Sequence, residues 1–341
     1  MGKDVILESI AREMQTGVLV LDANGRALYA NPFFLNSFPV EDGVVGRAVG
    51  EIVGNAVLLK TVGDFITNLG GSSEDIEINE GGRFFSVHLV PIKDSGDFKI
   101  LLFLQDITEE KRVETIKKDF VANVSHELRT PLASIKGYSE TLLDGGMEDQ
   151  KTLREFLRVI DRHATRMARL IDDLLILSRL ESHQMTIVSA PVDIRDLVVT
   201  TAKGFEKQAG DKGIKMAYGV PEGLPRVLGD RDRLEQVVVN LLDNAIKYTP
   251  SGGTVSVAAS NSGDWVRVEI RDTGIGIPAG DIPRIFERFY RVDKARSREL
   301  GGTGLGLAIV KHIIQGHNGR MQVESTPGQG SVFSFSIRSC P

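Results

Sequence analysis

The segment NLLDNAIKY, residues 240–248, decides the fold of the C-terminal part of the chain, because its polar residues follow a helical spacing. Asn240 and Asn244 are four residues apart and Lys247 follows three residues later, so all three lie on one face of a helix. Asparagine oxygens are hard ligands that suit Mg²⁺, and a lysine beside them suits phosphate oxygens. The face predicts a nucleotide site if other phosphate-binding features follow, and a solvated polar stripe if they do not.

Two glycine-rich segments supply such features. DTGIGIP, residues 272–278, ends a predicted strand, and GGTGLGL, residues 301–307, begins a predicted helix. Glycines at the start of a helix let backbone N–H groups approach a phosphate, whose charge the helix dipole favours. A Rossmann site is excluded because the charged segment RVDKARSREL precedes GGTGLGL where a buried strand is required. A P-loop is excluded because no Gly-Lys-Ser/Thr ends the glycine run.

The order of these motifs is specific. The two asparagines, then DTGIGIP, then IFERFYR (residues 285–291), then GTGLGL (residues 302–307) follow one another over about seventy residues. This order resembles the ATP-binding domain shared by sensor histidine kinases, type II topoisomerases, mismatch-repair ATPases and a heat-shock chaperone family. The alternation of helices and strands around the motifs predicts a two-layer α/β sandwich domain over residues 187–341.

The resemblance implies a role for each motif residue. Asp272 accepts a hydrogen bond from the adenine amino group, Asn244 holds Mg²⁺ with help from Asn240, and Lys247 and Tyr248 flank the nucleotide. A lid over residues 291–301 is also implied, in which the candidates to meet phosphate are Lys294, Arg296 and, preferred among them, Arg291. The other residues that the resemblance assigns to the cofactor are Gly274, Gly276, Gly302, Thr303, Gly304, Leu305 and Gly306.

The middle of the chain predicts a pair of helices. Apolar residues recur at spacings of three and four from Thr108 to Leu143, and again from Leu153 to Leu177 after the break DGGMEDQ (residues 144–150). An antiparallel hairpin of this kind has too narrow an apolar stripe to bury itself alone. Two copies packed as a four-helix bundle would bury the apolar stripes of both hairpins, so we expect a homodimer held over residues 109–186.

The first of these helices contains VSHELRTP, residues 124–131. His126 lies at the edge of the apolar seam, and a neutral imidazole nitrogen is a nucleophile that can attack phosphorus. Glu127 can take a proton from the imidazole, and Thr130 lies on the same helical face as His126. Zinc-protease chemistry is excluded because Thr130 replaces the second histidine of H-E-x-x-H. Pro131 frees the carbonyl of Glu127, which predicts a bend beside His126.

The segment from Phe120 to Leu143 is similar to the phosphoacceptor region of two-component sensor histidine kinases, among them the phosphate-responsive type. This resemblance implies that His126 is phosphorylated from ATP, that Glu127 is its general base and that Thr130 orients water for dephosphorylating a partner. The partner would be the receiver domain of a response regulator. An ATPase that drives conformational change and a degenerate kinase that serves as a scaffold remain alternatives. Transfer within a chain and between chains both remain open.

The N-terminal part predicts a separate α+β domain over residues 1–108. VLVLD, a turn at residues 23–25 and RALYANPFFLNSF are typical of strand, turn, strand and short helix, and later strands complete an antiparallel sheet with helices on one side. The order resembles a PAS sensory domain that ends at QDIT, residues 105–108. Its ligand is unknown, and His88 is expected to be a packed core residue rather than a haem ligand.

Composition limits the function classes. The chain has 341 residues, enough for two or three domains, and its net charge of −5 supplies no basic field for nucleic acid. The single cysteine, Cys340, excludes an internal disulfide, which fits a reducing compartment. No run of about 18 apolar residues is present. We expect a cytoplasmic protein or the cytoplasmic part of a membrane-anchored parent.

Overall fold

The computed structural model describes residues 9–38, 43–68, 73–94, 97–144, 149–181, 187–293 and 302–340. Contacts divide the chain into two compact units, residues 1–121 and 122–341, and the boundary falls inside a long helix. The three-domain division with boundaries after residues 108 and 186 therefore stays a prediction. Within the described ranges, none of the helices is long and apolar enough to cross a lipid bilayer.

The first unit contains five strands, β1 (Gly17–Asp22), β2 (Ala27–Ala30), β3 (Glu74–Glu80), β4 (Arg83–Asp94) and β5 (Asp97–Asp106). They form one antiparallel sheet in the order β2-β1-β5-β4-β3. The helices α1 (Pro32–Ser37), α2 (Val49–Ile52) and α3 (Ala56–Thr67) contribute to a single core on one face of this sheet. The predicted order of strand, turn, strand and short helix is confirmed.

Asn31 holds the start of α1 against the sheet. It is fully buried, and its Oδ1 accepts hydrogen bonds from the backbone N–H groups of Phe34 at 3.1 Å and Val18 at 2.9 Å. Its Nδ2 donates to the carbonyls of Ala11 and Thr16. Because every polar atom of the side chain is satisfied, Asn31 can cap the helix in the interior without an unpaired group.

The expectation that His88 packs in the core is wrong. Residues 85, 87 and 89 of β4 are buried, so the alternation of side chains turns His88 to the opposite face of the sheet. Its side chain is 40% exposed, and Nδ1 lies 2.5 Å from Oδ1 of Asp75 on β3. Both faces of β4 carry apolar residues, which is why the sequence pattern did not distinguish them.

Two long helices follow, α4 (Thr108–Leu143) and α5 (Gln150–Glu181). They are antiparallel, because Glu127 pairs with Arg166 while Tyr138, eleven residues later, stacks edge-on with Phe156, ten residues earlier, at 4.8 Å. The predicted bounds of the first helix are confirmed. α4 runs through Pro131 as one helix, and a bend there stays a prediction. Residues 145–148 of the predicted break lie outside the described residues.

The C-terminal part is a two-layer α/β sandwich, as predicted. A two-stranded sheet pairs β6 (Ala190–Val192) with β8 (Val227–Gly229). The other strands are β7 (Lys215–Gly219), β9 (Thr254–Ser262), β10 (Trp265–Asp272), β11 (Arg320–Thr326) and β12 (Gly330–Arg338). These five form a sheet in the order β11-β12-β10-β9-β7, with β7 parallel to β9 and the other pairs antiparallel.

The helical layer of this domain consists of α6 (Ile194–Gly204), α7 (Glu206–Asp211), α8 (Arg231–Tyr248) and α9 (Gly306–Gly316). The segment from Ile194 to Asp211 forms two helices, α6 and α7, rather than one continuous helix. The first ends at Gly204, where the low helix propensity of glycine favours a break, and the N–H of Phe205 closes it on the carbonyls of Ala202 and Lys203. α9 also packs against α5 of the hairpin within the same unit.

Candidate functional site

A cavity of about 550 Å³ opens beside α8, in the size range of small-molecule sites. Eleven of the residues assigned from the sequence line it: Asn240, Asn244, Lys247, Tyr248, Asp272, Gly276, Arg291, Gly302, Thr303, Gly304 and Gly306. Gly274 and Leu305, which were also assigned from the sequence, are not among the lining residues. The segments that are far apart in the sequence therefore converge on one site.

The N-terminus of α8 is fixed from two sides. Asp230 caps the helix through a hydrogen bond from the backbone N–H of Arg233 to its Oδ1, at 3.2 Å. The N–H of Asp230 itself donates to Nε2 of His317, at 2.9 Å, while Nδ1 of His317 contacts the carbonyl oxygen of Ile313. The apolar side of α8 is buried, so the opposite side, which carries Asn240, is directed to the cavity.

The two asparagines of α8 both face the cavity. The buried Nδ2 of Asn240 has no hydrogen-bond partner among the described residues, which leaves its amide available for a ligand. A Cβ at Gly306 would lie 3.2 Å from Oδ1 of Asn240, so glycine keeps this space open. Asn240 and Asn244 both line the cavity, and the side-chain oxygen of an asparagine is a hard ligand that suits Mg²⁺. Lys247 is held near them by Asp243, whose Oδ2 lies 2.5 Å from its Nζ.

Asp272 stands buried at the end of β10. Burial raises the pKa of its carboxyl group. The hydrogen bonds that the carboxyl group accepts from the backbone N–H groups of Gly274, at 2.8 Å, and Ser331 oppose this shift. Glycine is required at two positions after it, for different reasons. A Cβ at Gly274 would lie 2.6 Å from Oδ1 of Asp272, and Gly276 has a φ of 68°, which other residues rarely adopt. The turn therefore wraps tightly around a buried carboxylate.

The glycine-rich loop closes the other side of the cavity. Gly304 adopts a φ of 76°, and its carbonyl accepts a hydrogen bond from Phe289 in the IFERFYR segment, at 2.8 Å. Leu305 is fully buried and anchors the loop where α9 begins at Gly306. Gly301, Lys294 and Arg296 lie outside the described residues, so their predicted roles in a lid remain predictions.

The phosphoacceptor candidates lie on α4. His126 is exposed and does not line the cavity of its own chain. Thr130 donates a hydrogen bond from its hydroxyl to the carbonyl of His126, at 3.2 Å. Oε2 of Glu127 accepts hydrogen bonds from Arg166, at 2.9 Å, and from Arg291, at 3.1 Å. A residue next to His126 thus contacts a residue of the cavity wall.

Comparisons with known proteins agree with this arrangement. Residues 116–183 match the His Kinase A (phospho-acceptor) domain, and residues 229–340 match the histidine kinase-, DNA gyrase B-, and HSP90-like ATPase. The chain is 42% identical over 242 residues to the sensor-like histidine kinase SenX3 of Mycolicibacterium smegmatis, covering 71% of this chain and 62% of SenX3. The chain belongs to the two-component sensor histidine kinases. It is also 36% identical over 341 residues to the sensor protein kinase WalK of Staphylococcus saprophyticus, covering 97% of this chain and 54% of WalK.

This histidine kinase chain thus spans about half to three-fifths of the length of these curated relatives. The structure of the Acinetobacter baumannii histidine kinase AdeS is similar at 27% identity and a TM-score of 0.51, covering 63% of this chain and 98% of AdeS. Full-length ShkA, solved with AMPPNP, is similar at 32% identity and a TM-score of 0.50, covering 65% of this chain and 46% of ShkA. The histidine kinase ThkA, solved with the response regulator protein TrrA, shares the fold over 98% of both chains at 22% identity and a TM-score of 0.55.

Sequence reasoning missed three residues that α5 of this histidine kinase contributes. Arg169 and Asp173 line the cavity, and Asp173 accepts a hydrogen bond of 2.7 Å from the hydroxyl of Thr303. Arg166, one turn earlier, pairs with Glu127. Their spacing of three and four places them on one helical face, a signal present in the sequence. The sequence contains no indication of what that face contacts.

Proposed function

We propose that this chain is an ATP-dependent protein-histidine kinase that phosphorylates itself on His126. In the proposed reaction an imidazole nitrogen of His126 forms a bond to the γ-phosphorus of ATP as the bond to the bridging oxygen breaks and ADP leaves. Glu127 takes up the proton that the ring releases. The observation that carries the proposal is the contact between Glu127, next to His126, and Arg291 of the cavity wall, because it connects acceptor helix and cavity within one unit.

The cavity supplies the chemistry that ATP requires. Asp272 is a buried carboxylate that can accept a hydrogen bond from the adenine amino group, and the glycine turns leave room for backbone approach. Lys247 and Arg291 bring positive charge to the cavity wall for phosphate oxygens, and Tyr248 would flank the nucleotide beside Lys247. Bound Mg²⁺, held by Asn244 with Asn240, would neutralise charge on the transferring phosphoryl group.

The position of His126 sets a requirement on the reaction. Because His126 does not line the cavity of its own chain, it must either move to that cavity or meet the cavity of a second chain. A homodimer is the second part of the proposal, since the hairpin exposes large apolar side chains, among them Leu132 on α4 and Leu157 on α5. A four-helix bundle of two hairpins would bury them.

The remaining parts of the proposal concern partners. The phosphoryl group would pass from His126 to an aspartate on the receiver domain of a response regulator, and Thr130 would orient water when the chain dephosphorylates that regulator. The domain over residues 1–108 would be a PAS-like sensor, which the antiparallel sheet with helices on one face supports.

Incubation with γ-labelled ATP tests the proposal. We expect label on the wild-type chain that acid releases and alkali does not, as for a phosphorus–nitrogen bond, and no label on His126→Ala. A His126→Ala chain that labels as fast as wild type would overturn the proposal. Hydrolysis of ATP without any labelled protein would instead favour the alternative of an ATPase that drives conformational change. Mixing His126→Ala chains with Asn244→Asp chains distinguishes transfer within a chain from transfer between chains. In the mixture one chain keeps the intact cavity and the other keeps His126, so labelling requires transfer between chains.

A further inference from the structure

We propose that Arg166 is the positioning residue of Glu127 in the autophosphorylation of His126. This inference rests on the proposed function, because it takes Glu127 as the group that accepts the proton. Arg166 is on α5 and Glu127 on α4, so the ion pair crosses the hairpin. Arg166 acts through Glu127 and touches neither of the reacting groups in this assignment.

The contact is well shielded from water. The side chain of Arg166 is 17% exposed and that of Glu127 is 13% exposed, and the guanidinium nitrogen donates to Oε2 at 2.9 Å. Charge-assisted hydrogen bonds of this length are stronger than neutral ones, and burial reduces their screening by solvent. The pair therefore restricts the orientation of the carboxylate beside His126 far more than an exposed surface pair would.

A second guanidinium, that of Arg291, reaches the same Oε2 at 3.1 Å. The side chain of Arg291 is 6% exposed, also donates to the carbonyl of Gly302, and lines the cavity. When a triphosphate enters the cavity, its oxygens compete with Glu127 for Arg291. Arg166 does not line the cavity and faces no such competition. Arg166 can therefore hold Glu127 both before and after nucleotide binds.

Positioning by Arg166 leaves the base competent. A carboxylate has two oxygens and about four acceptor sites, so pairing at Oε2 does not exhaust its capacity to accept a proton. The pair also replaces rotamer freedom of Glu127 with a single orientation before reaction, which lowers the barrier of a proton transfer. Loss of Arg166 should thus slow the chemical step while nucleotide binding stays unchanged.

The competing explanation is that the pair only stabilises the hairpin. A double-mutant cycle on the full chain distinguishes the two, with autophosphorylation of His126 measured across ATP concentrations for Arg166→Ala, Glu127→Gln and the double variant. We expect Arg166→Ala to lower kcat about tenfold with KM for ATP unchanged within about twofold, and Arg166→Lys to restore part of the rate. In the Glu127→Gln background, the same Arg166→Ala change should alter kcat by less than about twofold.

The exposed Arg158, two turns earlier on α5, gives the matched control, and Arg158→Ala should leave kcat unchanged. If Arg166→Ala does not fold, Arg166→Gln, which keeps hydrogen-bonding capacity without the charge, replaces it in the cycle. Equal factors of loss in the wild-type and Glu127→Gln backgrounds would overturn the inference and leave the proposed function intact. A wild-type chain that acquires no label on His126 would overturn the proposed function itself.

Discussion

The carboxylate of Asp173 on α5 accepts a hydrogen bond of 2.7 Å from the hydroxyl of Thr303 in the glycine-rich loop. Burial raises the pKa of Asp173, while the hydrogen bond from Thr303 and the charges of Arg169 and Lys247 oppose this shift. The contact ties the loop to the hairpin. It also puts a carboxylate into the wall of the cavity that we assign to a triphosphate.

We therefore expect Asp173→Asn to bind ATP more tightly than wild type, by about fivefold, because one negative charge leaves the neighbourhood of the phosphates. Asparagine retains an oxygen that can accept the hydrogen bond from Thr303, so the loop should keep its position. Titration calorimetry with ATP measures the change. Asp172→Asn is the matched control, since Asp172 is its exposed neighbour on the same helix. Equal affinities for wild type and Asp173→Asn would contradict the prediction.

Asp272 gives a prediction on pH. Because burial raises the pKa of its carboxyl group, the folded protein binds more protons there than the unfolded chain does. The free energy of unfolding contributed by this group therefore falls as pH rises above 3.8, the ordinary value for aspartate. Asp272→Asn removes that penalty, so without nucleotide we expect its Tm to exceed that of wild type at pH 8, with a smaller difference near pH 4.

The same substitution should weaken ATP binding by about tenfold, because a neutral amide accepts a weaker hydrogen bond than a carboxylate. Thermal unfolding at the two pH values and nucleotide titration are the measurements. The stability part fails if the difference in Tm is the same at both pH values. The binding part fails if Asp272→Asn binds ATP as wild type does.

The exposed apolar residues of the hairpin lead to a prediction on assembly. Leu132→Glu and Leu157→Glu each place a charge where the proposed four-helix bundle buries an aliphatic side chain, and we expect both to shift the dimer toward monomer. Sedimentation velocity measures the change. Arg158→Glu tests whether an added carboxylate beside Leu157 is by itself sufficient to dissociate the dimer, and we expect this variant to remain dimeric. A wild-type chain that sediments as a monomer would contradict the prediction.

His317 is expected to stabilise the helix that carries the asparagines. Its Nε2 accepts the hydrogen bond from Asp230, the residue that caps α8. His317→Ala leaves that partly buried N–H without its acceptor, so we expect the free energy of unfolding to fall by about 1–3 kcal/mol. Urea unfolding measures the loss. An unchanged urea midpoint would show that another group or water replaces the imidazole.

Much of the local structure was predictable because its causes are local. The periodicity of apolar residues placed both ends of α4, and the spacing of the asparagines placed residues 240–248 on a helix, which the structure shows as the second half of α8. The glycine turns were also predictable, since a φ of 68° at Gly276 excludes most other residues. The prediction that His88 packs in the core was wrong because alternation along β4 allows two opposite faces, and only the packing of the helices selects which face is buried.

The sequence by itself determined the helical hairpin, the α/β sandwich and the motif residues that converge on the cavity, because spacing and glycine content act within a few residues of each other. Only the tertiary structure decided that α5 forms part of the cavity wall. Asp173 and Thr303 are 130 residues apart, and Glu127 and Arg291 are 164 apart. Such contacts depend on how two packed elements meet, and no local periodicity records the identity of a distant partner.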